Sequence, residues 1–341
     1  MIHRVEASLT PRDVSWKGNL GKGWDVFNVF RVNGNSFLFS LKSSNGNVQI
    51  HEVESNGKLG SKVYQNDWSS GWTTVESYEI AGNTFLFLLK ESTGDVHIHK
   101  MNNNGTIGSK VSDLNWSSGW TTAKLFIVGG KSYLFLLKAS NGHVHIHEFE
   151  QNGKVGPEVI RYDWSSGWTD AQFYYQKEAC FVALYKRGAG TVHTQKMNNN
   201  GSVGSRVDTT SWGKDWDTIN AYGKNSTQLI RFNSKTGAAH FQSTDQNGSL
   251  IEVPSEAEYS WSKGWTTSVG FPTEAGLYMF IYKEESGRSE IVLMSKARVL
   301  RKRKAEDSNR SAVQEIDENG VKIKVISTNA STRRAVIRIG G

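Results

Sequence analysis

The chain has 341 residues, enough for one large domain or two ordinary ones. Its 34 Gly against 4 Pro, 12 Trp and 11% aromatic residues exclude collagen, a long coiled coil and a disordered chain. The net charge is +7, but residues 297–341 hold 11 Lys+Arg against 5 Asp+Glu; the rest is nearly neutral, which argues against a nucleic-acid groove there.

The first element is a head, residues 2–15, whose meaning comes from the tryptophans that follow it. Trp24, Trp72, Trp120, Trp168 and Trp216 are spaced by 48 residues, and Trp265 follows after 49. Each has an upstream companion: Trp16, Trp68, Trp116, Trp164, Trp212 and Trp261. Five pairs read Trp-x-x-x-Trp, and the first is stretched by four residues. Behind each pair comes an apolar strand such as Phe85-Leu-Phe-Leu-Leu89, then a turn glycine at Gly46, Gly94, Gly142, Gly190, Gly237 or Gly287. An alternating strand such as Val96-His-Ile-His-Lys-Met101 follows. An Asn-Gly turn closes a hairpin at 56–57, 104–105, 152–153, 200–201 and 247–248, where a tight turn needs positive φ. A last short strand runs into the next Trp pair.

The strands have period 2, and no 3.6 period is sustained. Six such repeats predict an all-β fold, a six-bladed β-propeller over residues 1–296. His3 precedes Trp24 by 21 residues, as His99 precedes Trp120, so the head resembles the second half of a repeat. It is expected to supply the missing outer strand of the last blade and to seal the exposed edges. Residues 297–341 read as a basic linker and a small β-rich appendage. Arg301-Lys-Arg-Lys304 precedes two alternating segments, and Asn319-Gly320 is a hairpin signal. A protein partner, an anionic surface or an import receptor are the alternatives for this tail.

The longest apolar runs are about five residues, where a membrane span needs ~20. The N-terminus shows no apolar core of signal-peptide length. With a single cysteine, this points to a cytoplasmic protein, or one released by a route that needs no signal peptide. Cys180 stands where other repeats have Thr84 and Ser132, and reads as a small buried side chain. No nucleophile elbow, phosphate loop or HExxH is present, so the chain is expected to be no enzyme and to need no cofactor.

Twin tryptophans suit two jobs. The second of each pair directly precedes a strand and reads as a wedge between blades. The first offers an aromatic plate for the C–H face of a sugar, with short polar side chains for its hydroxyls. Three loops carry this set intact: Asp67, Trp68, Ser69 and Ser70; Asn115, Trp116, Ser117 and Ser118; Asp163, Trp164, Ser165 and Ser166. His97/His99 and His145/His147 each face one way on a strand, a spacing that metals use. Equivalent columns hold Gln49/His51, His193/Gln195, His240/Gln242 and Glu290/Val292, so a polar strand face is expected rather than a metal site.

The Trp-anchored repeats of residues 1–296 resemble those of the tachylectin/tectonin β-propeller lectins. The resemblance implies carbohydrate recognition, one shallow site per blade or between blades, and avidity across blades. The leading expectation is therefore a multivalent binder of neutral glycans or glycoconjugates. The alternatives are a protein-interaction scaffold with a basic docking tail, and chemistry at the propeller axis.

Overall fold

In each repeat the second strand is apolar at consecutive positions, and its neighbours alternate. Asn35–Leu41 is buried at six of seven positions, whereas Leu59–Asp67 has none buried. A strand that is apolar on both faces must be covered on both, so one sheet has to pack between two others. The computed structural model describes residues 13–214, 216–222, 228–252 and 258–296, with the backbone of three strands beyond them. Its sheets stack as that rule requires.

The first blade is an antiparallel meander of Val26–Val32, Asn35–Leu41, Asn47–Val53 and Leu59–Asp67. The second repeats it with Thr74–Ile80, Asn83–Leu89, Asp95–Met101 and Ile107–Asn115. Blades three and four span 122–163 and 170–211. In blade five the outer strand comes as two pieces, Leu250–Glu252 and Glu258–Ser260, both paired with Ala238–Thr244. Blade six has Thr267–Pro272, Gly276–Tyr282 and Arg288–Lys296. The first strands touch one another in sequence, and Val26–Val32 touches Thr267–Pro272, so the ring of six closes.

Two glycine columns fix the packing. Gly94 has φ +81°, and a Cβ there would lie 1.9 Å from the Trp116 carbonyl oxygen; the Trp116 amide in turn donates to the Gly94 carbonyl at 2.8 Å. Gly105, in an Asn-Gly turn, has φ +79° and lies against the ring of Phe37 in the preceding blade. Only glycine meets both demands, positive φ and close approach.

The head prediction is corrected in register. The closing strand is Asp13–Asn19, paired antiparallel with Arg288–Lys296; residues 1–12, with His3, lie outside the described residues. Trp16 is therefore not the stretched partner of Trp24. It lies within the strand opposite Ile291. Leu20 takes the column of the first tryptophan: its amide donates to the Gly287 carbonyl at 3.0 Å, as the Trp68 amide does to Gly46 at 2.8 Å. The Trp24 indole N–H donates to the Leu20 carbonyl at 2.8 Å.

The chain divides into two compact units, Met1–Ala297 and Arg298–Gly341. The second contains an antiparallel meander of Val313–Glu318, Val321–Ser327 and Ala335–Ile339. The basic run 301–304 and the 319–320 turn lie outside the described residues. No helix among the described residues is long and apolar enough to cross a membrane.

Candidate functional site

Each Trp loop leaves the outer strand of one blade and enters the inner strand of the next. The second tryptophans are core: Trp24, Trp72, Trp120, Trp168, Trp216 and Trp265 are between 2% and 7% exposed. Trp68, Trp116 and Trp164 are half-buried, as is Trp261, while Trp212 is buried. The division of labour read from the sequence thus appears in the geometry for four pairs.

A lysine completes the loop. Lys90 Nζ lies 4.8 Å from the Trp72 ring and donates to Ser69 Oγ at 2.9 Å. Lys138 lies 4.7 Å from Trp120 and donates to Ser117 at 2.8 Å; Lys186 lies 5.0 Å from Trp168 and donates to Ser165 at 3.2 Å. The cation sits on the negative face of the indole and pins the first serine of the loop. Burial pulls the Lys138 pKa down. This lysine column was missed in the sequence, although it recurs eighteen residues after five of the six second tryptophans. In the fifth pair Arg231 replaces it, 4.8 and 4.7 Å from the two rings.

The remaining predicted residues divide. Ser70, Ser118 and Ser166 are exposed beside their tryptophans. Asp67, Asn115 and Asp163 turn back to their own sheets: Asn47 donates to Asp67 at 2.7 Å, Asn115 donates to Asp95 at 2.8 Å, and Asp163 lies 3.4 Å from His143. The histidine columns pack on the tryptophans. His97 is 4.6 Å from Trp72 and His145 4.7 Å from Trp120, while His99 stacks on Trp68 and His147 on Trp116, both at 13° between planes. Cys180 is buried, and burial pushes its thiol up to about 12, which leaves no thiolate for nucleophilic chemistry at neutral pH.

At the sixth pair the stacking histidine is replaced by Val292. A groove of about 240 Å³ opens there, lined by Trp261, Ser262, Trp265, Arg288, Glu290 and Val292. Arg288 donates to Glu290 at 2.5 Å, so the groove has an aromatic wall and an ion-paired floor, and Asp13 adds a second carboxylate to its lining.

A second cavity, about 320 Å³, lies on the axis between all six inner strands. Its wall carries charged and amide side chains among the apolar ones. The residue four places after each second tryptophan is Asn28, Glu76, Lys124, Gln172, Asn220 or Val269, and all but Asn28 line the cavity. Lys124 Nζ is 2.7 Å from Glu76 Oε1. Burial alone would lower the Lys124 pKa, but Glu76 and Asp170 outweigh it and the group is held above its ordinary value. Asp170 accepts from Gln172 at 3.0 Å; burial pushes its carboxyl up, against the pull of Lys124. A carboxyl raised beside a cation is the kind of group that serves as a general acid or base.

No family model matches the chain, and no curated protein matches its sequence. Solved structures share the fold. BBS1N in complex with ARL6DN matches at a TM-score of 0.55 and 10% identity, covering 85% of this chain and 98% of that one. The periplasmic gluconolactonase of Pseudomonas aeruginosa matches at 0.50 and 12%, covering 74% and 72%. The WD40 domain of Toxoplasma gondii coronin matches at 0.50 and 10%, covering 85% and 89%. The chain is a six-bladed β-propeller, and at these identities the similarity shows the fold alone. The expectation that the chain is no enzyme is corrected on this comparison. A gluconolactonase takes the same fold, and missing sequence motifs do not exclude an active site assembled from six blades.

Proposed function

We propose that the propeller binds neutral carbohydrate at its tryptophan loops. The observation that carries this reading is the split within four pairs: a buried indole holds the blade and its companion is half-exposed, at the three central loops beside one lysine-bonded and one exposed serine. A sugar ring offers C–H groups to an indole face and hydroxyls to serine and lysine, and the groove at Trp261 has room for about one such ring. The resemblance to the tachylectin/tectonin repeats supports the same reading. Several weak sites on a rigid ring gain avidity on a surface that repeats the ligand. The similarity to a WD40 domain gives no support to the scaffold alternative. A glycan array probed with the full chain, and with Trp68→Ala, Trp116→Ala, Trp164→Ala and Trp261→Ala variants, tests the proposal; binding that none of them weakens refutes it.

The axial chamber favours a second reading, hydrolysis of a small polar substrate such as a sugar lactone. Asp170 would act as acid or base, and the Lys124–Glu76 pair would hold the substrate's polar groups. Glucono-1,5-lactone turnover above the spontaneous rate, lost in Asp170→Asn, is the expected result. Equal rates with wild type, Asp170→Asn and buffer would remove this reading.

A further inference from the structure

The six blades are internal controls for one another, and blade three combines two histidines on one strand with a facing carboxylate. On the third strand, His145 and His147 point the same way. Across the ladder, His147 faces Glu158. The corresponding pairs are His51 with Lys62, His99 with Lys110, and Gln195 with Arg206. Three blades therefore set a cation at this position; blade five sets Glu252 opposite Gln242, and blade three sets Glu158 opposite a histidine.

The exchange gathers three donors. One nitrogen of each imidazole and one oxygen of Glu158 all lie within 4.8 Å of one another. His145 Nδ1 is 2.7 Å from Glu158 Oε2. His147 Nδ1 is 3.2 Å from the Gly156 carbonyl oxygen; a proton on Nδ1 makes that contact a hydrogen bond and leaves Nε2 as the ligand atom, the arrangement in which metal-bound histidines are usually oriented. The side chains are held but reachable: His145 is 20% and Glu158 29% exposed. Trp116 and Trp120 fix the two rings from outside the sheet. Arg161 forks onto Glu158 at 3.1 and 3.0 Å, but it is 60% exposed, and a carboxylate has about four acceptor positions, so the fork leaves room for a metal bond.

We propose that His145, His147 and Glu158 form a site for a divalent transition metal, zinc by preference, with at least one coordination position open to water or ligand. Two imidazoles and one carboxylate suit zinc, nickel and copper rather than calcium or magnesium. This departs from the reading of the histidine columns as a polar strand face, and the reason is Glu158, a residue outside those columns. It stands apart from the carbohydrate reading.

The test is zinc titration of the full chain, freed of tags and chelator, by calorimetry and by metal analysis after dialysis. The expected result is one zinc per chain, with affinity at least about tenfold weaker in Glu158→Lys and in His145→Ala. Glu158→Lys installs the residue of blade two, so its far-UV spectrum and melting should stay close to wild type. His97→Ala should bind as wild type does. Copper or nickel should quench the fluorescence of Trp116 beside His147, and Trp116→Phe should remove that part of the quench. Absence of stoichiometric zinc, or equal uptake by folded Glu158→Lys, overturns the proposal.

Discussion

Replacing Trp120 by alanine removes a ring that is 3% exposed and lies between Lys138 Nζ, at 4.7 Å, and His145, also at 4.7 Å. Truncation of a buried aromatic costs roughly 3–5 kcal/mol, through lost transfer energy and the cavity left behind. The cation–π contact adds ~0.5–1 kcal/mol at a partly exposed lysine. Trp116 is half-buried, so its truncation should cost about half as much, roughly 2 kcal/mol, on the same area argument. Against a total stability of about 5–15 kcal/mol the first change is severe and the second tolerable. The assay is urea unfolding of the full chain followed by far-UV circular dichroism, since fluorescence is itself altered. Trp72→Ala should match Trp120→Ala, because the repeat places it identically over Lys90. Equal losses at Trp116 and Trp120, or a larger loss at Trp116, would refute the division into wedge and contact residues.

Removing residues 1–19 takes the outer strand from blade six and bares Arg288–Lys296; the melting temperature should drop by roughly 5 °C or more, and an unchanged value would contradict ring closure by Asp13–Asn19. Burial lowers the pKa of His51, His97, His99 and His193 below the ordinary 6.5. The folded chain then binds fewer protons than the unfolded one, so the stability from these groups is whole above about pH 7.5 and is lost as pH falls through 6.5 toward the lowered values. Melting followed from pH 7.5 to 5.5 should show a steady decline, and a flat or rising profile would refute the neutral, buried histidines.

The architecture was legible because strand patterning repeats, and each repeat corrects the reading of the others. The Asn-Gly turns and the turn glycines could be placed because positive φ and close packing leave few alternatives to glycine. Spacing alone could not place the head, because an inserted segment and a shifted register give the same sequence; Leu20 in a tryptophan column shows itself only through its hydrogen bond to Gly287. The serines and tryptophans of the loops were legible as a set, whereas Asp67, Asn115 and Asp163 were grouped with them by chain proximity and in fact bond within their sheets. The axial groups come from six blades and lie close in no linear window. Their signal was a column that varies, Asn28, Glu76, Lys124, Gln172, Asn220 and Val269, beside columns that hardly change. Glu158 was hidden in the same way, visible only when set against Lys62, Lys110 and Arg206.

The most direct test of the account is the binding of a neutral glycan to the full chain, measured by calorimetry at low and moderate salt for wild type and Trp116→Ala. The glycan is the strongest binder found on an array. The account predicts binding that changes little with salt. It also predicts a loss of ~1–3 kcal/mol in Trp116→Ala, by analogy with aromatic stacking on nucleobases, while the variant keeps its fold. A folded Trp116→Ala that binds every tested glycan as wild type does, or binding that collapses with salt, would contradict it.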